Sequence, residues 1–265
     1  MYDYQGYAKE GAQMPVLARR FLDINKKLCQ KIEPYLPQTK IDLGALYIEL
    51  VTRYMNSRTN QTIVDVGGGK SCPFAQYKDP TQQTRIVAVD TSEEELKHNI
   101  DVDEKVVANI AQGFPFEAEA VDLIVSRSVL EHLESVEEFM ARSATSLKKG
   151  GYFIHLLPSK FAPFALINQV LPHTVSTKVL DSFKPEMKGI CGFPAFYDNC
   201  YYSAISRLLA KYDFEIIDIY ISYYQSSYFS FFAPLFLASA LYEMSILKLS
   251  AKNLCAYLLI VARKK

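Results

Sequence analysis

Asp65 stands two residues before a run of three glycines, Gly67-Gly68-Gly69, and a second carboxylate, Asp90, follows about twenty residues on. Glycine adopts backbone angles, and permits close approaches, that a Cβ forbids. Such a run can lay bare main chain against a ligand, while an acid at that spacing, on the tip of a neighbouring strand, can accept hydrogen bonds from ribose hydroxyls. The chemistry this pattern fits is binding of a nucleoside cofactor. His155, near the tip of a later strand, is the one candidate general base. Its other reading is a packed histidine inside that strand.

Two decoys lie in the same stretch. Gly69-Lys70-Ser71 ends like a phosphate loop, but that motif requires glycine at position 64, which is Val64. Gly67-x-Gly69 opens a dinucleotide fingerprint, but Cys72 occupies the third glycine position and Pro73 follows. A standard pyrophosphate-binding helix start is therefore not expected.

These residues need elements to hold them. Thr62 to Val66 reads as a buried strand ending in the glycine turn. Arg85 to Val89 is a second short apolar strand ending in Asp90. Thr91 or Ser92 then caps a helix, and Ser92 with Glu95 has capping-box spacing. Lys105 to Ala108 and Val121 to Val125 read as the third and fourth strands. Ser126-Arg127-Ser128 forms the fourth strand's tip and leads into Val129-Leu130-Glu131-His132. Ser135 and Glu138 form another capping box, with Val136, Phe139, Met140, Ala144 and Leu147 on one helical stripe. Lys148 and Lys149 suit that helix's negative end, and Gly150-Gly151 stops it. Tyr152 to Leu157 is the fifth strand. Upstream, Pro15 suits a first helical position for a run to Ile32, and Asp42 caps a second helix to about Met55. These N-terminal helices read as a lid or as a buttress on the sheet.

With 265 residues, 49% of them apolar, the chain is long enough for one sizeable core. Lys+Arg 29 balances Asp+Glu 29, which argues against a general nucleic-acid binder. The five cysteines form no CxxC pair and the four histidines are scattered. Neither a zinc site nor a disulfide framework is expected, and a cytoplasmic location is. The first residues are polar and do not read as a signal peptide.

Taken together, residues 62 to 157 resemble a class I S-adenosylmethionine-dependent methyltransferase of the broad type 11 group. The matching segments are Val64-Asp65-Val66-Gly67-Gly68-Gly69, Val87-Ala88-Val89-Asp90, Phe114-Pro115-Phe116, Val121-Asp122-Leu123-Ile124-Val125-Ser126, Val129-Leu130-Glu131-His132 and Leu147-Lys148-Lys149-Gly150-Gly151. Their order and spacing carry the resemblance; no single one would. It implies an α/β, doubly wound, seven-stranded, mostly parallel sheet of Rossmann-like methyltransferase type. A helical N-terminal segment (1–60) precedes a cofactor-binding core (61–157), all within one domain.

The resemblance also implies roles. Asp65, Gly67, Gly68 and Gly69 border the methionine part of S-adenosyl-L-methionine. Asp90 takes the ribose hydroxyls with Thr91 beside it, Asn109-Ile110-Ala111 lies along the adenine, and Ser126 lies near the sulfonium. Family members commonly carry an acid where Ile110 stands; backbone groups of Ala111 or Gln112, or the Asn109 side chain, would have to replace its bond to the adenine amino group.

The resemblance thins beyond Leu157. A long connection (158–202) and a second insertion (223–253) would cover the carboxyl edge of the sheet, where a methyl acceptor must bind. Tyr202 to Lys211 reads as a helix, Phe214 to Ser222 as strand six, and Leu254 to Val261 as strand seven, which in the family inserts antiparallel between strands five and six. Phe231 to Tyr242 is strongly apolar, and no charge occurs between Asp218 and Glu243. That stretch reads as a hydrophobic cap, packed on the first insertion or on a second subunit, ahead of an interfacial helix and well ahead of a membrane span. Arg127, Lys160 and Tyr223 are the candidate acceptor contacts. The aromatics suit a small-molecule, lipid-linked or glycan-linked acceptor. The rival functions are a nicotinamide-dependent oxidoreductase, a cofactor-binding protein without turnover, and a membrane-peripheral scaffold of the same fold.

Overall fold

A computed structural model describes residues 16–36, 40–170 and 194–265. β1 (Thr62–Val66), β2 (Arg85–Asp90), β3 (Glu104–Val107), β4 (Val121–Arg127), β5 (Leu147–Pro158), β6 (Phe214–Ser222) and β7 (Tyr257–Lys264) form one sheet. Their order is β3-β2-β1-β4-β5-β7-β6. All pairings are parallel except those of β7, which runs antiparallel to both β5 and β6.

Alternate residues of the central strands face opposite layers, as the two-residue period of a strand requires. Val64, Val66, Ile124 and Phe153 join the core beneath α4 (Val136–Ser146) and α6 (Tyr202–Lys211). Ile63, Leu123, Val125 and Ile154 join a second core covered by α2 (Leu43–Met55). The Asp42 side chain caps α2 by accepting from the Ala45 N–H (2.9 Å). With Tyr47, Leu50, Val51 and Met55 buried against the sheet, α2 is a structural layer of the fold. Beside β2 and β3, α3 (Glu93–His98) is capped by Ser92 as its spacing required.

Several boundaries differ from expectation. The stretch Leu147-Lys148-Lys149 begins β5 and does not end α4. Lys264 supplies the cation at the α4 terminus instead, donating to the carbonyls of Ala144 and Leu147. Lys148 pairs with Asp122 (2.8 Å). Strand seven starts at Tyr257, since Lys252–Leu254 form a short 3-10 turn.

The first insertion contributes α5 (Pro163–Val170); its middle, with Cys191, lies outside the described residues. The second contains α7 (Ala233–Lys248). No side chain within the segment caps α7. Asn25 of α1 (Val16–Ile32) does so from across the molecule, its Oδ1 accepting from the Ala233 N–H (2.9 Å). Cys29, Ala233 and Phe236 pack together, and Phe21 stacks on Phe232. The N-terminal helix thus braces the apolar insertion. Glu243, buried, accepts from the N–H groups of Gln225 and Ser226 and fixes the path from β6 into α7. Among the described residues no helix is long and apolar enough to cross a membrane.

Candidate active site

Strand order reverses at the β1–β4 boundary, which opens a crevice at the carboxyl ends of those strands. The glycine turn sits there. Gly67 has φ +71° and Gly69 φ +40°, angles that a side chain rarely tolerates. The N–H groups of Gly67 and Gly68 both donate to the Val89 carbonyl (2.8 and 3.2 Å), and the Gly69 N–H donates to Asp90 Oδ2 (3.0 Å). The bare main chain and the second carboxylate are therefore direct neighbours on one edge of the sheet.

Close packing sets the glycine identities. A Cβ on Gly68 would lie 2.7 Å from the Ala88 Cβ, and one on Gly67 2.4 Å from Val129 Cγ2. From behind, buried Asn99 donates to the Gly68 carbonyl (2.9 Å). Asp101 accepts from the Cys72 N–H (2.8 Å), which holds the far end of the loop.

Asp90 also accepts from the Ser92 N–H (2.9 Å). Each carboxylate oxygen has two acceptor positions, so both can take a ribose hydroxyl while holding the loop. Thr91 is exposed beside it. Asp65 is buried. Its carboxyl is pushed up to about 7 chiefly by burial and further by Asp90, against a lowering hydrogen bond from the Cys72 thiol. Tyr47 lies near it, and Arg127 lies near Tyr47 in turn. A buried acid in this condition is relieved by a cation. Two carboxylates flanking the turn suit a ligand that carries a sulfonium and an ammonium, and oppose a pyrophosphate. No helix starts at residues 69–73, so the dipole-assisted phosphate site is missing as well.

The loop 109–111, expected along the adenine, is held from α4. Arg142 Nη1 donates to the carbonyls of Ile110 (3.3 Å) and Ala111 (2.8 Å). Asn109 Oδ1 accepts from the Ala111 N–H (3.0 Å), which leaves its amide NH2 as a donor for an adenine ring nitrogen. Ile110 turns into the core, so its contribution to a cofactor contact is confined to backbone.

Other expected residues fall elsewhere. His155 lies within β5, paired in register with Ser126 of β4, and is fully buried against Phe153 and Phe139. Its Nδ1 shares a 2.6 Å hydrogen bond with Ser126 Oγ, and burial pulls its pKa down to about 3. A ring that stays neutral and sealed in the sheet cannot exchange a proton with an acceptor, so the packed reading replaces the general-base expectation. Ser126, its Oγ spent on that ring, faces the same buried layer. Tyr223 packs in the core with Ile246 and Cys255, not toward the crevice. Arg127 is exposed at the β4 tip, near the first turn of α2 at Gly44. The Lys160 N–H donates to the Cys200 carbonyl (2.7 Å), which ties the first insertion to residues 194–201.

A second group of side chains gathers at the same edge. The turn Leu130–His132 after β4 carries Glu131, whose carbonyl accepts from the N–H groups of Phe196 and Tyr197. Tyr197, Tyr257 and Cys200 lie within electrostatic reach of its carboxyl. The hydroxyls of Tyr228 and Tyr257 are hydrogen-bonded, and Phe164 stacks on both rings at 4.4 and 5.5 Å between centroids. These aromatics come from three separate segments, so their meeting carries no local sequence signal.

Residues 64–155, about a third of the chain, match a family model described as a methyltransferase domain. No curated protein matches. Solved structures do. Geranyl diphosphate C-methyltransferase from Streptomyces coelicolor A3(2), with S-adenosyl-L-homocysteine, aligns at TM-score 0.51 and 15% identity over 83% of this chain and 76% of that one. The [4+2]-cyclase SpnF aligns at 0.52 and 15% over 82% and 79%. Phosphoethanolamine N-methyltransferase 2 from Haemonchus contortus, with S-adenosyl-L-methionine, aligns at 0.51 and 15% over 83% of this chain and 52% of that one. At such identity the structural likenesses establish the fold.

Proposed function

Since residues 64–155 match a methyltransferase domain and the fold is that of cofactor-bound methyltransferases, we propose that the chain is a class I S-adenosylmethionine-dependent methyltransferase that transfers the cofactor's methyl to a small-molecule, lipid-linked or glycan-linked acceptor held beneath its two insertions. The observation that carries this reading is the pair of carboxylates, Asp65 and Asp90, on either side of a glycine turn bonded directly to Asp90. When bound, the cofactor supplies a methyl already made electrophilic by sulfur. The protein's part is to orient and to exclude water. Asp90 holds the ribose of the adenosyl end, the glycine turn borders the methionine part, Asp65 balances positive charge, and the insertions shield the acceptor.

The fold alone does not fix the reaction, as the cyclase of the same architecture shows. Titration calorimetry with S-adenosylhomocysteine and with NAD separates the methyltransferase from an oxidoreductase. We expect binding of the first and none of the second; the reverse would overturn the reading. Methyl-labelled cofactor incubated with cell extract then separates turnover from mere retention.

The exposed apolar residues of α1 and α7, among them Leu17, Ile24, Leu237 and Leu241, are bordered by Arg20, Lys27, Lys31 and Lys248. That combination supports a peripheral contact with an anionic lipid surface. Sedimentation with phosphatidylglycerol vesicles, lost in Leu241→Glu, is the expected result. A protein left in the supernatant would refute it.

A further inference from the structure

Glu131 is only 4% exposed, and its Oε2 has no hydrogen-bond partner among the described residues. A buried polar atom left unmatched is costly and calls for an explanation. The carboxyl lies at the carboxyl edge of the sheet, where an acceptor must meet the cofactor. Tyr197 and Tyr257 lie within electrostatic reach of it, and Tyr257 in turn bonds the Tyr228 hydroxyl and stacks with Phe164. Aromatic faces and an unmatched carboxylate both attract cations, strongly where water is excluded.

We propose that Glu131 and these aromatic rings form the recognition site for a positively charged amine on the methyl acceptor. This rests on the methyltransferase reading and names the acceptor's chemistry. The amine enters as an ammonium. Its N–H bond breaks as a proton passes to Glu131, and the freed lone pair forms the new C–N bond. The methyl–sulfur bond breaks with its electron pair left on sulfur, and Glu131 returns the proton to solvent when product leaves.

The groups facing the carboxyl are compatible with this. Burial raises the pKa values of Tyr197, Tyr257 and Cys200, which keeps them neutral near pH 7. His132 Nε2 stands 4.0 Å from Oε1, beyond hydrogen-bond distance, while its Nδ1 bonds the Pro194 carbonyl. Burial pushes Glu131 up to about 8. In the absence of a cation the carboxyl is thus largely neutral at pH 7, and it ionises with release of a proton when a cation binds.

The test uses choline and its neutral carbon isostere, 3,3-dimethylbutan-1-ol, titrated into the full chain saturated with S-adenosylhomocysteine. We expect choline to bind at least tenfold more tightly than the isostere, with a proton released at pH 7 and none at pH 9. Glu131→Gln, which keeps the shape, should abolish both the preference and the release, and Tyr228→Leu should weaken choline several-fold. Equal affinity for the two probes, no choline binding, or an unchanged preference in Glu131→Gln would overturn the proposal. Failure of S-adenosylhomocysteine to bind in the first titration would instead strike the methyltransferase reading. Displacement of choline by ethanolamine points to a soluble amine, and displacement by phosphatidylethanolamine vesicles to a lipid headgroup; displacement by neither counts against an amine acceptor.

Discussion

Asp90→Ala removes the residue that joins the glycine turn to the ribose position. In the free protein the Asp90 carboxylate accepts from Gly69 N–H at 3.0 Å and from Ser92 N–H at 2.9 Å. Hydrogen bonds to a charged group contribute about 1.5–3 kcal/mol each where water is excluded. Asp90 is partly exposed, so water replaces some of that, and a stability loss of roughly 1–3 kcal/mol is expected. The bound state loses more, because the ribose hydroxyls lose a charged acceptor and the turn loses its order. At ~1.4 kcal/mol per decade, one such bond accounts for about a tenfold loss of affinity. We therefore expect S-adenosylhomocysteine to bind Asp90→Ala more than tenfold more weakly in calorimetry, while the far-ultraviolet spectrum stays native. Unchanged affinity in a folded variant would remove the ribose assignment.

Gly68→Ala places a methyl 2.7 Å from the Ala88 Cβ; a loss of about 1–3 kcal/mol is expected in urea unfolding, partly recovered by adding Ala88→Gly. The Asp65 carboxyl, raised to about 7 in the free protein, holds its proton below that pH, whereas a bound cation favours the ionised form. Affinity for S-adenosylmethionine should then rise roughly tenfold from pH 6 to pH 8, and Asp65→Asn should bind weakly with a flat profile; a flat profile in the wild type would refute the charge argument. Glu243→Ala strips the acceptor from two buried backbone donors, so unfolding should occur with on the order of 3 kcal/mol less stability. Cofactor affinity should stay within about twofold, since the defect is confined to the apolar insertion.

The glycine turn and the strand tips beside it were legible because their signals are local. The glycine run, Asp90 at a strand tip, and the caps at Asp42, Ser92 and Ser135 each act within a few residues, and each appears as read. What resisted reading depends on distant partners. Asn99 behind Gly68, Arg142 on the adenine loop and Asn25 capping α7 are ordinary polar residues whose roles come only from folding. For His155 a related reason left the base and the packed readings both open. Proximity to a strand's end does not decide whether a side chain faces solvent or the next layer, and here Ser126 and Phe139 claim it. The Leu147-Lys148-Lys149 stretch looked like a helix end, yet its backbone pairs with β4, leaving Lys264 to fill the role. Glu131 gave no local signal, since the tyrosines within its electrostatic reach lie at positions 197 and 257.

A crystal structure grown with S-adenosylhomocysteine tests the central claim most directly. The account predicts the ribose hydroxyls within hydrogen-bond distance of Asp90 and the methionine part against Gly67 to Gly69, with its ammonium toward Asp65. A ligand bound away from the β1–β4 crevice, or one whose ribose leaves Asp90 untouched, would contradict it.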